Sequence, residues 1–258
     1  MIAAYIYRSA LADFLRPKRV FIWFIVSLAL FGMALLYKKV NVGKPDVDMY
    51  SILSSVLAFR LLPLASAIFS TAVVSAEVEQ RTIVYLLTRP VPRAQLLLMR
   101  TLASMTAVAI LSFFCVILVS LSVYGPSGFL TNPYLWRDAK AVIVGAAAYG
   151  GLFVVISLLV NRAMIVCLLY AFAWETSVPN MSGSMYYLSI TSYLNAIAER
   201  PSDGNTGNIL QLLAGSFGSN SIPTSTAWPA MILLTVCCVV LGMAWFTKFE
   251  YVPREDAE

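Results

Sequence analysis

The sequence predicts an all-α membrane protein with six transmembrane helices, and three observations lead to this fold class. The chain of 258 residues is 60% hydrophobic, whereas a soluble domain is about 45–50% apolar. Only 12% of its residues are charged, which is about half the usual share. The mean hydropathy is +0.80. Because the apolar residues lie in long runs, we expect one membrane-embedded domain over residues 1–258.

The residue types that are missing exclude several kinds of chemistry. The chain has no histidine, so Ser-His-Asp and Cys-His catalysis and histidine-based zinc sites are excluded. The four cysteines lie inside apolar runs without a CxxC pattern, which is typical of buried core residues; they are Cys115, Cys167, Cys237 and Cys238. We therefore expect no catalytic residue and no metal site.

The first element is predicted to be an amphipathic helix at the inner membrane interface, within residues 1–19. Apolar residues recur at helical spacing over Ile2–Leu15, while Asp13 and Arg16 lie on another face. Pro17 ends this helix, because proline cannot continue its hydrogen-bond ladder. The alternative is a cytoplasmic extension that packs on protein rather than on lipid.

Six apolar runs follow that approach or exceed the length needed to cross the hydrocarbon of a bilayer. The first is too long for the apolar part of a signal peptide, and no small-residue cleavage site follows it. The fourth and fifth are separated by only two residues, which predicts a tight helical hairpin, and the fifth is short. The predicted spans are Val20–Tyr37, Ile52–Val74, Leu96–Tyr124, Ala139–Val160, Ala163–Pro179 and Pro229–Thr247.

The distribution of Lys and Arg predicts the orientation of these spans. Of the 18 Lys and Arg residues, eleven lie on the side of both termini and six on the opposite side, with Arg60 inside a span. Cytoplasmic segments carry the excess of these residues. We therefore expect both termini in the cytoplasm of a multi-pass protein surrounded by membrane lipid. The net charge of +5 then reflects orientation and indicates no nucleic-acid partner.

A short amphipathic helix is predicted in the cytoplasmic loop over residues 75–93. Glu77 and Glu79 lie near its expected start, where carboxylates suit the positive end of the helix dipole. An apolar group follows, and Pro90 and Pro92 end the segment. These apolar residues need a partner surface or the membrane interface.

A second non-spanning region covers residues 181–227 on the external side. One apolar, tyrosine-rich stripe from Tyr186 to Ile197 predicts a helix at the membrane–water boundary. A turn at 201–205 and a short apolar piece at 209–213 follow. We expect an external cap or a re-entrant element, not a separate folded domain.

Arg60 and Glu175 are ionisable residues inside predicted spans, where charge is costly. Arg60 lies roughly 22 Å along a helix from Ser75, and Glu175 lies roughly 20 Å from Arg162. Their depths therefore match. We hypothesise that they approach each other, within one subunit or across a dimer, beside a transport route. The alternative is that Arg60 extends outward to water and that Glu175 caps the fifth helix.

Two stretches of the chain resemble ABC-2 type transporter permeases. The first resembles the cytoplasmic loop of that family, although Arg81 stands where the family usually has glycine. It is carried by Ser75, Glu77, Glu79, Thr82, Leu86, Leu87, Pro90, Val91, Arg93, Leu96 and Leu97. The second resembles the fifth-span region of the family, and it is carried by Trp174, Glu175, Pro179, Leu188 and Ser189. The plan of six spans agrees with the family over the whole chain.

The resemblance implies one half of a transmembrane pore that works as a dimer, with a second copy or a paralogous permease. It also implies a bacterial inner (plasma) membrane protein whose loop 75–93 docks a cytoplasmic ABC ATPase subunit. The chain has no G-x-x-x-x-G-K-[ST] motif, so ATP and Mg²⁺ are expected in that partner and no cofactor in this chain. The implied coupling residues are Glu77, Glu79, Arg81, Thr82, Leu86, Leu87 and Arg93.

The function that follows is ATP-driven export of a lipid, an amphiphilic drug or peptide, or a glycan precursor. The alternative within the same class is a subunit that transmits ATP-driven motion to a membrane or periplasmic partner without conventional transport. An intramembrane enzyme is a remote alternative, because the acidic pair Glu77 and Glu79 lies outside the apolar core and has no histidine beside it. A passive channel lacks support, because no filter motif or charged ring is present.

Overall fold

The fold was obtained as a computed structural model, which describes residues 2–40, 46–79, 92–160, 162–180, 184–199 and 222–248. These residues form helices and short turns, with no strand among them, so the prediction of an all-α protein is confirmed. The helices are α1 Ile2–Phe14, α2 Pro17–Val40, α3 Asp46–Leu53, α4 Phe59–Glu79, α5 Arg93–Gly128, α6 Pro133–Leu159, α7 Ala163–Leu169, α8 Glu175–Ser177, α9 Ile190–Ile197 and α10 Thr224–Lys248.

Two π-helical turns interrupt otherwise continuous helices. Ser54–Ala58 joins α3 to α4, and Tyr170–Trp174 joins α7 to α8. Short 3₁₀ turns follow at Val178–Asn180 and Ser184–Leu188. Single π turns inside α-helices occur often at functional sites, and each of these two precedes one of the two ionisable residues that were predicted inside spans.

Five helices are long and apolar enough to cross a membrane within the part of the chain that the structure describes. They are Val20–Val40, Asp46–Val73, Ala94–Pro126, Pro133–Leu159 and Thr224–Lys248. The predicted fifth span instead forms a shorter apolar helix, Ala163–Ser177. Its regular α-helical winding ends at a π turn and then tightens into a 3₁₀ turn that contains Pro179, so it does not extend as one long helix.

Helix α6 lies at the centre of the bundle and packs against α4, α5, α9 and α10. Small residues make two of these contacts possible. A Cβ atom on Gly150 would lie 2.7 Å from Cγ of Met105 on α5. One on Gly151 would lie 3.3 Å from Cβ of Cys238 on α10. Glycine at these positions lets the neighbouring helices approach closely.

Helix α5 bends sharply at Gly125, which agrees with the predicted end of the third span at Tyr124. Gly125 has φ of 73°, a left-handed conformation that favours glycine. Pro126 follows and interrupts the hydrogen-bond ladder. The membrane-crossing part of α5 therefore ends at this bend, and the last turn of the helix points in a new direction.

Helix α1 forms as predicted, but its apolar face packs on protein. Phe14 is buried against Phe69 of α4, with ring centroids 6.0 Å apart. The Tyr7 hydroxyl donates to Thr106 Oγ1 of α5 at 3.0 Å. The packing on protein that was named as the alternative is therefore present. Tyr5, at 71% exposed, points away from the bundle.

Helices α4 and α5 lie on either side of the predicted coupling segment. Helix α4 extends through Glu79, so Glu77 and Glu79 lie in its last turn instead of at the start of a new helix. The reason is that the first proline after Pro63 is Pro90, so nothing in the sequence breaks the helix earlier. Helix α5 begins at Arg93, and residues 80–91 lie outside the described part of the chain.

Helices α2 and α10 carry the largest exposed apolar faces. On α2, Phe21, Ile22 and Leu36 are each more than 60% exposed, and Leu233 of α10 is 70% exposed. An apolar patch of this extent on a soluble monomer marks an interaction surface. On membrane-crossing helices these faces suit lipid or another apolar helix.

Candidate intramembrane charge site

The site is built where α9 lies against α6. The Tyr149 hydroxyl of α6 lies 3.0 Å from Thr191 Oγ1 at the start of α9. A Cβ on Gly145 would lie 2.8 Å from Cδ1 of Leu194. From the first contact to the second, the residue number rises along α9 and falls along α6. The two helices are therefore antiparallel.

The depth of α9 follows from the same pairing. Tyr149 lies about 16 residues, or roughly 24 Å, from the start of α6 at Pro133. Arg137, near that start, forms an ion pair with Glu199 at 3.1 Å. Helix α9 therefore begins beside the middle of α6 and ends near its first turns.

The predicted helical stripe from Tyr186 to Ile197 is not one helix. It is a 3₁₀ turn at Ser184–Leu188 followed by α9, and Ser189 between them has an extended backbone (φ −95°, ψ 129°). The prediction of a continuous helix was wrong at this residue. The first amide groups of α9 turn instead toward a carboxylate on another element.

That carboxylate is Glu175, which is 1% exposed. Its Oε2 accepts hydrogen bonds from Ser189 Oγ at 2.6 Å and from the Thr191 amide at 3.1 Å. Its Oε1 accepts from the Tyr170 hydroxyl at 3.1 Å and from the Ile190 amide at 3.2 Å. Since the first amides of a helix have no partner within it, Glu175 performs the capping role that Ser189 does not perform for α9.

The π turn explains why Tyr170 and Glu175 meet. In a π turn the hydrogen bond joins residues five apart, and here the Glu175 amide donates to the Tyr170 carbonyl. The wider turn brings the two side chains to one side of the helix. In a regular α-helix, residues five apart point in different directions. A prediction based on regular α-helical spacing in the fifth span therefore could not bring Tyr170 and Glu175 together.

Arg60 lies beside the same group, as the matching depths in the sequence suggested. Its Nη1 donates to the backbone carbonyl of Glu175 at 2.9 Å and to Thr176 Oγ1 at 2.9 Å. The structure therefore brings Arg60 and Glu175 together within one subunit. Arg60 therefore binds the backbone carbonyl of Glu175 and the hydroxyl of Thr176. The carboxylate of Glu175 instead accepts hydrogen bonds from the start of α9.

A second buried carboxylate, Asp138 on α6, was missed in the sequence. It is 3% exposed and accepts a hydrogen bond from Ser54 Oγ, in the π turn before α4. Asp138 lies one residue before the predicted fourth span, Ala139–Val160. Helix α6 starts earlier, at Pro133, which brings Asp138 into the bundle.

The other predicted site residues have less described geometry. Asp13 and Arg16 form an exposed ion pair, with Oδ1 and Nη2 2.7 Å apart; such surface pairs contribute at most about 1 kcal/mol. Glu77, Glu79 and Arg93 are described only by their positions at helix ends. The coupling residues that lie outside the described ranges are Arg81, Thr82, Leu86 and Leu87.

Comparison with known proteins assigns the chain to a family. A family model described as "ABC-2 family transporter protein" matches residues 12–196, which is well over half of the chain. The chain therefore belongs to the ABC-2 family of transporter proteins, and it is a multi-pass membrane protein of the permease type. No curated protein matches the sequence. In the described ranges no three Cys, Asp or Glu side chains are grouped as metal ligands.

Proposed function

We propose that the chain is the membrane-spanning subunit of an ATP-driven exporter and that a separate cytoplasmic ABC ATPase docks on residues 75–93. The observation that carries this proposal is the arrangement of α4 and α5. In this member of a transporter family, the long helix α4 ends at Glu79 and the long helix α5 begins at Arg93. Only one short segment separates them. A force on that segment would act on both helices, because a helix is stiff along its axis.

The route of that force continues through the bundle. Helix α4 packs along α6, and α5 packs against α1, α2, α4 and α6. Movement of this helix pair would therefore reach most of the membrane-embedded part. ATP and Mg²⁺ would bind in the partner ATPase, and a second copy of this chain or a paralogous permease would complete the pore.

The experiment is co-purification of the tagged chain with co-expressed ABC ATPase subunits of the source cell. Reversing both charges, by Glu77→Lys with Glu79→Lys, is expected to reduce ATPase capture at least about tenfold, or about 1.4 kcal/mol. Replacing all of residues 77–87 by a Gly/Ser linker is expected to abolish it. Full capture by this linker variant would contradict the coupling role.

The chain offers a matched control for the charge reversal. Asp46 and Asp48 are also two residues apart, and both are exposed. They lie at the start of α3, and Glu79 lies at the end of α4, which continues from α3 through the π turn. Asp46→Lys with Asp48→Lys adds the same charge to the protein. Under the proposal this variant captures the ATPase as the unchanged protein does.

The proposed orientation and substrate class need separate measurements. With both termini in the cytoplasm, a membrane-impermeant amine reagent added outside intact cells should modify Lys39 but not Lys248. A lipid, an amphiphilic drug or peptide, or a glycan precursor is the proposed cargo. It is tested by ATP-dependent transport in proteoliposomes that contain the copurified complex.

A further inference from the structure

We propose that the fifth membrane crossing consists of two half-helices joined at Glu175, and that this joint opens and closes as α9 moves during transport. The first half is Ala163–Ser177, and the second is α9. The joint is defined as the Glu175 carboxylate, Ser189 Oγ and the amides of Ile190 and Thr191. The proposed movement of α9 rests on the function proposed above, whereas the two-piece geometry of the fifth crossing does not.

The lengths of the two halves suit a single crossing. The helix Ala163–Ser177 spans roughly 22 Å and α9 spans roughly 12 Å along their axes. Together they match the hydrocarbon thickness of about 30 Å. Helix α9 continues from the middle of α6 towards its start, as its contacts with Tyr149 and Arg137 require. The fifth crossing is thus present in two pieces, and together with the five long helices it makes six crossings.

A break in the middle of a membrane is stable only if the freed backbone groups find partners inside the protein. Glu175 provides them for α9. Both of its oxygens accept from a backbone amide, Oε1 from Ile190 and Oε2 from Thr191. A backbone amide can only donate, and an ionised carboxylate can only accept. The arrangement therefore fits the charged form, with the Arg60 guanidinium bonded to the backbone of the same residue.

Both halves pack on α6, as the contact between the rings of Phe153 and Tyr170 shows for the first half, and each half has a further neighbour. The helix Ala163–Ser177 and its π turn also contact α4, and α9 also packs on α10. The joint therefore lies between a half that contacts α4, which leads to the coupling segment, and a half that contacts α10. If α4 moves relative to α10, the strain falls on the three hydrogen bonds that join Glu175 to Ser189, Ile190 and Thr191. This is why we place the moving point there.

The experiment measures the position of α9 by spin labels on Trp136→Cys and Tyr187→Cys in a variant with its four native cysteines replaced. Both side chains are exposed, 53% for Trp136 and 48% for Tyr187, and they lie on α6 and on the turn before α9. In lipid nanodiscs with the bound ATPase, and with the labelled chain diluted into unlabelled chain so that distances between copies are suppressed, the resting state should give one narrow distance. The ATP-trapped state should add a second distance, shifted by about one helical turn, or roughly 5 Å.

Variants separate the joint from general packing. Glu175→Gln keeps the size of the side chain but not its charge, and it should show the shifted distance without ATP. Tyr170→Phe removes one hydroxyl and leaves both amides of α9 bonded, so it should behave as the unchanged protein. The same distance in every nucleotide state of an active complex overturns the proposal, whether or not the variants fold.

ATPase capture distinguishes this proposal from the proposed function. Glu175 is bonded to Arg60, which lies about 19 residues, or roughly 28 Å along α4, before Glu79. Glu175→Gln should therefore capture the ATPase fully while transport falls at least about tenfold. Loss of transport with normal distances would assign Glu175 a role other than the joint. Failure of the unchanged protein to bind any ATPase would contradict the proposed function and would leave the two-piece geometry to be judged by the resting-state distance.

Discussion

At the scale of single residues, the surroundings of Glu175 differ from those of a simple ion pair. The carboxylate accepts four hydrogen bonds from donors other than Arg60, while Arg60 binds the Glu175 carbonyl and Thr176. The positive charge of Arg60 and the negative charge of Glu175 lie close enough to compensate each other. None of the described hydrogen bonds joins the guanidinium to the carboxylate. Each charge can therefore require the other even though the side chains have different partners.

Exchanging these charges is expected to fail as a rescue. Arg60→Glu with Glu175→Arg would place a guanidinium, which only donates, against the amides of Ile190 and Thr191. Removing both charges, by Arg60→Gln with Glu175→Gln, should recover stability relative to Glu175→Gln alone. Leaving one buried charge uncompensated costs about 3–5 kcal/mol.

The measurement is the melting temperature of the purified protein in detergent with added lipid. The order expected is unchanged protein, then the double Gln variant, then Glu175→Gln. A single Glu175→Gln variant as stable as the double one would show that Arg60 does not depend on the charge of Glu175. Rescue by the charge exchange would mean that the two side chains bond directly.

At the scale of elements, the contact between α6 and α9 depends on the missing side chain of Gly145. A Cβ there would lie 2.5 Å from Cδ2 of Leu62 and 2.8 Å from Cδ1 of Leu194. Gly145→Ala should therefore cost about 1–3 kcal/mol of stability through overpacking. It should also lower the melting temperature.

Gly242→Ala is the matched control, because Gly242 lies inside α10 and a Cβ added there would be 3.7 Å from its nearest neighbouring atom. This variant should be neutral or stabilised by up to about 1 kcal/mol, through the higher helix propensity of alanine. Equal melting temperatures for the two variants would mean that Leu62 and Leu194 move aside without cost.

The docking of α1 on the bundle gives another prediction. Phe14→Ala removes a buried ring from the contact with Phe69 and should weaken this docking by about 3–5 kcal/mol. Trypsin should then cleave faster at Lys18 and Arg19, between α1 and the membrane. Tyr5→Ala, at a side chain that is 71% exposed, should leave the cleavage rate unchanged. If both variants are cleaved alike, the docking of α1 does not depend on Phe14.

These elements also show what could be predicted from the sequence. Long apolar runs have one structural solution in lipid, so the helices around Val20, Leu96 and Pro229 follow from composition. The break in the fifth crossing does not, because it depends on a π turn and on a carboxylate that bonds a distant helix. No local pattern around Tyr170 or Ser189 records that contact. Asp138 was missed because hydropathy placed the start of its helix too late.

At the scale of the whole molecule, the protein combines exposed apolar faces on α2 and α10 with a largely apolar core that also contains buried polar groups. Buried hydroxyl groups follow α4 through the bundle, including Ser54, Ser66, Ser70 and Thr71. Polar residues inside a bundle support contacts between helices. The apolar outside, the buried hydroxyl groups and the joint at Glu175 are thus parts of one arrangement around α6.

The two-piece crossing has a consequence for how the chain enters the membrane during synthesis. Glu175 cannot meet its amide partners until residues 190 and 191 have been made, and an acidic residue at a helix centre costs about 2.5–3.5 kcal/mol to insert. A ribosome-bound chain that has exposed residues 163–177 but still holds α9 in the exit tunnel should therefore leave Cys167 reactive to a cytoplasmic thiol reagent. A longer chain, from which α9 has left the tunnel, should be protected, and the Glu175→Ala variant should already be protected at the shorter length.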